Sequence, residues 1–484
     1  MQHQRYFFLL FVLTFLSNFV LGQNTVNDKQ NKVVTKFVEA YNQQDYSKMK
    51  KSFFLLGRIL PLQKGLRQVF EPRFTKFGKV KIDSIQNATE KKLVVGLTYE
   101  KDILETDFLV FNFNKRNKIV GLNFKDPDYL YAKNKNNYNS EQSKSTQIDV
   151  LLKQKFVTRF NGNVLVIDKG NIIYKKSFGY SNYDNKDLLN DSSVFELASC
   201  SKQFTAMAIM ILAEQGKINY SDNIQKYIPD LPYQNITIEN LLTHTSGLPD
   251  YMELLQKYWD KNKFATNYDI VDLFKKYKPK IYFSPDKMFE YSNTGYALLS
   301  IIIEKASGLT YAEFLNENIF KPLRMKNTRV YNTRRVKNEK INNYAYGYIY
   351  SEKLKKYALP DSLPDYNYVF FMDAITGDGT VNTTTLDLVN WDKSFRENKL
   401  VSKETIEKAF SKHKLSDGKV SDYGYGLCIG GGDKNERVVY HGGSWAGYST
   451  FLLHFIDKQV TIIILSNNEY ENIGKLVDQI ARML

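Results

Sequence analysis

Strand-forming segments stand at the two ends of residues 147–484, with a long mixed stretch between them. Near the start, Asn163–Asp168 and Ile172–Lys176 flank a turn at Lys169-Gly170-Asn171 and read as a hairpin. Near the end, Arg437–His441, Thr450–Phe455 and Val460–Leu465 carry the same β-branched and aromatic pattern. An apolar strand must bury a face, so strands this far apart in sequence are expected to pair with one another. The expectation is an antiparallel sheet closed by the chain's two ends, flanked by helices, with the middle forming a helical subdomain: an α+β fold. Helices are expected at Gln147–Arg159 and Glu471–Leu484, the second with Ile473, Val477, Ile480 and Leu484 on one face.

Residues 131–146 are almost entirely polar and cannot bury a core, so they read as a linker between two domains. Residues 27–130 then form a small α+β domain. Val33, Val34, Phe37, Val38 and Tyr41 recur at helical spacing, and a second helical region runs through Phe70. Strands follow at Val80–Ile85, Lys92–Tyr99, Thr106–Phe113 and Lys118–Phe124. This element order, with the opening Phe37-Val38-Glu39-Ala40-Tyr41-Asn42, resembles the cone-shaped domains of the nuclear-transport-factor-two-like or cystatin-like type. Residues 23–140 hold 22 basic and 12 acidic side chains, and so carry ten of the net +15 charges. This bias suits contact with an anionic membrane or wall polymer; the plainer reading is a solvated lysine-rich surface. No nucleic-acid partner is expected. Residues 1–22 read as a secretory signal: Arg5, an apolar run from Tyr6 to Leu16, and small residues before Gln23. The protein is therefore expected to be exported, to a periplasm or beyond, with an uncleaved anchor as the alternative.

The chemistry centres on Ser199-Cys200-Ser201-Lys202, at the head of an apolar helix that ends near Gln215 with Gly216 as its cap. A helix starting near Ser199 puts Lys202 one turn on, on the same side. Serine needs a base to act as a nucleophile, and a desolvated lysine has the lowered pKa that lets it serve. The spacing alone is weak, since it recurs at Ser47/Lys50, Ser284/Lys287, Ser411/Lys414 and Ser416/Lys419. Two further groups separate the first from these. Tyr291 can shuttle a proton, and Asn293 can donate to a substrate carbonyl while accepting from Lys202. His441-x-Gly443 is the single His-x-Gly of the chain and is read as ending a strand, where glycine admits a substrate backbone. The two cysteines, Cys200 and Cys428, make no disulfide framework or metal spacing. Cys200 reads as a packing residue. No metal and no cofactor are expected.

Ser-x-x-Lys, Tyr-x-Asn and His-x-Gly in this order resemble the serine β-lactamase and penicillin-binding-protein superfamily, in its class C-like branch. Leu241–Pro249, Gly377–Val381 and Tyr423–Leu427 add to the likeness, which covers about residues 147–484. The resemblance implies a β-lactamase-like catalytic domain preceded by the cone-like one. It implies that Ser199 is acylated, that Lys202 and Tyr291 share the acid–base work, and that Asn293, His441, Gly443 and Ser444 line the substrate site. The backbone N–H groups of Ser199 and Ser444 would form the oxyanion hole. His244 would be structural rather than catalytic. Lactam-cleaving members carry Lys-Thr-Gly as the third motif, where this chain has His441-Gly442-Gly443. A mostly neutral histidine holds a substrate carboxylate less well than a lysine. The expected activity is therefore cleavage of an ester or amide, of esterase or D-amino-acid peptidase type, on a small-molecule or peptide substrate. The alternatives are a β-lactamase and a non-catalytic wall-peptide-binding protein that kept the fold.

Overall fold

The computed structural model describes residues 28–53, 62–89, 91–99, 106–125, 143–157, 160–331, 341–430, 436–470 and 472–484. The expected leader, and the expected linker up to residue 142, lie outside them. The chain divides into two compact units, residues 1–140 and 141–484.

In the first unit, α1 (Asp28–Asn42), α2 (Tyr46–Lys51) and α3 (Leu62–Phe77) precede an antiparallel meander of β1 (Val80–Thr89), β2 (Lys92–Tyr99), β3 (Thr106–Phe113) and β4 (Ile119–Lys125). α1 buries Val34, Phe37, Val38 and Tyr41, one stripe at helical spacing. Phe37 anchors the core, meeting Phe53, Phe70 and Phe111 edge to face. α3 continues past Phe70 and through Pro72, and ends against Gly78 at φ +79°.

The second unit is built on a six-stranded antiparallel sheet. β5 (Gly162–Asp168), β6 (Asn171–Phe178), β7 (Cys428–Ile429), β8 (Val438–Trp445), β9 (Tyr448–Phe455) and β10 (Val460–Ser466) stand in the order β7-β8-β9-β10-β5-β6. The two ends of the unit meet where β10 pairs with β5, Ile463 opposite Leu165. Side chains alternate between two cores. Val164, Val166, Ile462 and Ile464 face α4 (Lys144–Val157) and α8 (Ile473–Ala481). Leu165, Ile167, Ile463 and Leu465 face the opposite core, formed by α5 (Lys202–Glu214), α6 (Asn293–Ser307) and α7 (Thr385–Glu397).

α4 starts three residues earlier than the polar pattern implies. The Ser143 hydroxyl accepts the Thr146 N–H at 3.3 Å, so a capping serine turns this stretch into a polar first turn. β8 differs more. It does not end at His441 but runs on through Gly442, Gly443 and Ser444, because β9 pairs with it along its whole length.

Candidate active site

Ser199 is positioned by its neighbours in the chain and across it. Phe195–Glu196 pairs antiparallel with Val381–Thr383, and the Leu197 N–H donates to the Val381 carbonyl at 2.8 Å. Ala198 then takes φ +48°, and Ala198–Ser201 make a 3₁₀ turn before α5 begins at Lys202. The expected α-helix does not start at Ser199. In a 3₁₀ turn residues three apart eclipse, so Ser199 lies directly over Lys202. The Ser201 hydroxyl accepts the Val381 N–H at 3.1 Å, tying the turn back to the strand.

Lys202 is 0% exposed. Its Nζ donates to Ser199 Oγ at 3.1 Å, Asn293 Oδ1 at 2.9 Å and the Asp378 carbonyl at 2.8 Å. Three acceptors for three ammonium protons is full satisfaction. The Tyr291 and Tyr296 rings lie 5.0 and 5.6 Å from the same nitrogen. Asn293 is the first residue of α6, presented by the Ser292 cap, whose side chain accepts the Gly295 N–H. Tyr291 is 42% exposed, and its ring packs on His244 at 4.3 Å between centroids. Ser199, Lys202, Tyr291 and Asn293 thus meet at one point.

β8 supplies the other wall. A Cβ on Gly443 would lie 2.3 Å from the Leu197 carbonyl oxygen and 2.3 Å from Thr450 Oγ1, so only glycine lets the strand reach the nucleophile's turn. The Gly430 N–H donates to the Val438 carbonyl, which shows that the even-numbered peptide groups of β8 face β7. β7 pairs no further than Tyr440, so by alternation the Ser444 N–H faces the open edge of the sheet.

His441 departs from the expected substrate contact. It is 3% exposed. Its Nδ1–H donates to the Gly442 carbonyl at 2.6 Å, which leaves Nε2 to accept the Tyr423 hydroxyl at 2.9 Å. Burial, and then the charge of Lys202, push its pKa down to about 3. The ring is neutral and has no donor left for a substrate. Cys200 is buried, its thiol donating to the His441 carbonyl, and burial raises its pKa to about 12. It is a packing residue, enclosed in the core.

Asp378 and Tyr423 lie in stretches that carry the resemblance but are given no role by it, and Tyr251 is not singled out by the sequence at all. Asp378 gives its carbonyl to Lys202 while its carboxylate accepts the Tyr251 hydroxyl at 2.8 Å. Tyr423 holds His441. Gly377, just before Asp378, sits at φ +95°, where a Cβ would lie 2.3 Å from the Tyr296 carbonyl.

A family model described as Beta-lactamase matches residues 154–482. Penicillin-binding protein 4* of Bacillus subtilis (strain 168) is 47% identical over 311 residues, 64% of this chain and 69% of that protein. Protein flp of Staphylococcus aureus (strain MW2) is 27% identical over 327 residues, 66% of this chain and 61% of its own length. Among solved structures, the octameric penicillin-binding protein homologue from Pyrococcus abyssi matches with a TM-score of 0.57 at 28% identity, over 67% of this chain and 73% of that one. A D-amino acid amidase from Ochrobactrum anthropi SV3 shares the fold, with a TM-score of 0.58 at 22% identity, over 71% of this chain and 99% of its own.

Proposed function

The chain belongs to the β-lactamase family, a family of serine hydrolases, and from that premise we propose that it is an exported enzyme that cleaves an ester or amide through an acyl-enzyme on Ser199. The observation that carries this reading is the triple hydrogen bond of Lys202 Nζ to Ser199 Oγ, Asn293 Oδ1 and the Asp378 carbonyl. It keeps the Lys202 nitrogen within hydrogen-bond reach of Ser199 Oγ, so that a Lys202–Tyr291 pair short of one proton can take the serine proton.

In the proposed reaction Ser199 Oγ attacks the substrate carbonyl, and its proton passes into the Lys202–Tyr291 pair. The oxyanion rests on the N–H groups of Ser199 and Ser444. The first belongs to a helical turn whose leading N–H groups lack intrahelical acceptors, and the second faces the open edge of β8. The pair returns the proton to the leaving oxygen or nitrogen, and water repeats the sequence to release the acid. In this reading Asn293, its Oδ1 held by Lys202, donates from Nδ2 to the acyl portion.

The engaged, neutral ring of His441 supports an ester or amide over a lactam bearing a carboxylate, since it offers that anion no charge and no donor. The names of the penicillin-binding and D-amino acid amidase relatives agree with a D-amino-acid peptide or amide as the natural substrate. The basic N-terminal unit would hold the enzyme near an anionic wall or membrane surface.

A serine-directed fluorophosphonate should label Ser199 and fail on Ser199→Ala, and Lys202→Ala should abolish turnover. A parallel panel of a chromogenic cephalosporin, short-chain nitrophenyl esters and D-amino-acid amides should show the fastest turnover among the last two. A faster rate on the cephalosporin would overturn the substrate class. Unaltered turnover in Lys202→Ala would overturn the mechanism.

A further inference from the structure

We propose that His244 is a positioning residue that sets Tyr291 against Lys202, an inference that rests on the acid–base role given to Tyr291 above. His244 is fully buried and lies outside the Ser199, Lys202 and Asn293 hydrogen-bond set. Its position is kept against two costs. Its backbone sits at φ +57°, in the left-handed region that side chains other than glycine, asparagine and aspartate rarely adopt. Its Nε2 is buried with no hydrogen-bond partner among the described residues.

What His244 does in return is local to one segment. Its carbonyl accepts the Glu290 N–H at 3.0 Å, and its Nδ1 accepts the Ser292 N–H at 3.0 Å. These two bonds bracket Tyr291. Its ring lies on the Tyr291 ring at 4.3 Å, tilted by 37°. Backbone on both sides, and ring face, are therefore all set by one residue. The consequence is the placing of the half-exposed Tyr291 ring 5.0 Å from Lys202 Nζ. An acceptor at Nδ1 requires a ring without a proton there. Burial, then the charge of Lys202, keep the ring neutral, and its one proton is on Nε2.

The proposal separates two functions of the ring, and two variants test them apart. His244→Phe keeps the stack and loses the Nδ1 acceptor. His244→Asn restores an acceptor near that place and loses most of the stack. Each is measured on a nitrophenyl ester, alone and with Tyr291→Phe, with kcat normalised to the folded fraction from circular dichroism. In the wild-type background His244→Phe should lower kcat by about tenfold to a hundredfold with KM little changed, the scale of a misplaced catalytic group. His244→Asn should recover part of the loss. In the Tyr291→Phe background His244→Phe should cost less than about twofold, since its target is already gone. An equal loss in both backgrounds would overturn the proposal. So would a fall in melting temperature with kcat per folded molecule unchanged, or His244→Asn weaker than His244→Phe. Failure of the hydrolase reading itself looks different: Ser199 of the wild type stays unlabelled by the fluorophosphonate, and this proposal falls with it.

Discussion

Gly443 faces the Leu197 carbonyl and the Thr450 hydroxyl so closely that even a methyl group has no room. Gly443→Ala should therefore push β8 off the nucleophile's turn. We expect a loss of about 1–3 kcal/mol in stability, read by urea unfolding, with a larger proportional loss of kcat on a nitrophenyl ester. The buried histidines predict a pH effect. His441 is pushed down to about 3, and His244 in the same direction, both first by burial. An unfolded chain protonates these rings as pH falls below about 6.5, while the folded chain does not. The stability they contribute is thus present above the unfolded value and lost as pH falls below it, at about 1.4 kcal/mol per pH unit for each ring that stays neutral in the folded chain. Urea midpoints should fall between pH 7 and pH 5, and His441→Gln should flatten that slope. Both thiols are held protonated by burial, Cys200 at about 12 and Cys428 at about 11. Neither should react rapidly with an aromatic disulfide reagent at pH 8 until the protein is unfolded. At this scale Ser199, Lys202, Tyr291 and Asn293 were legible because their chemistry is written in their side chains. Asp378 was not, because it acts on Lys202 through a carbonyl that every residue possesses. His441 was legible as a position but not in its role, since only its surroundings consume both nitrogens.

Among the elements, α7 shows how a helix is fastened to the sheet from inside. Asp392 accepts from His454 at 2.8 Å and Thr461 at 2.6 Å, on β9 and β10, and pairs with Arg396 one turn on. Burial alone would raise its pKa; the bonds and charges of His454 and Arg396 outweigh that and hold it at about 2. Asp392→Ala would leave a guanidinium without its counter-charge and should cost about 3–5 kcal/mol, measured as a shift in the urea midpoint. The strands of the large sheet were readable because their β-branched residues run together, as they must in strands buried on both faces. The end of β8 was misread for a specific reason. Two consecutive glycines look like a terminus, and only pairing with β9 shows them to be strand. The 3₁₀ turn at Ala198–Ser201 was likewise hidden, since its residues suit an α-helix and the strand pairing of Phe195–Glu196 decides otherwise.

Across the whole molecule, the two units have separate hydrophobic cores, one around Phe37 and the other on both faces of the six-stranded sheet. Every residue given a role in the reaction lies in the second. Residues 141–484 expressed alone should fold cooperatively and keep kcat and KM on a small ester; a loss of turnover with retained folding would assign the first unit a catalytic part. The division into a basic N-terminal part and an apolar, strand-ended remainder was written in composition and periodicity, which act over neighbours in the chain. So were the residue types able to do acyl transfer. What five Ser-x-x-Lys spacings share cannot tell them apart, because the difference lies in partners 91, 176 and more positions away. Packing α6 on α5 and pairing Val381–Thr383 with Phe195–Glu196 bring those partners to Lys202 and bury it among acceptors, and closing β5 onto β10 completes the sheet whose strand β8 stacks Gly443 on the Leu197–Cys200 turn. A lysine's setting and a histidine's neutrality are properties of that enclosure, and enclosure exists only once distant segments have packed.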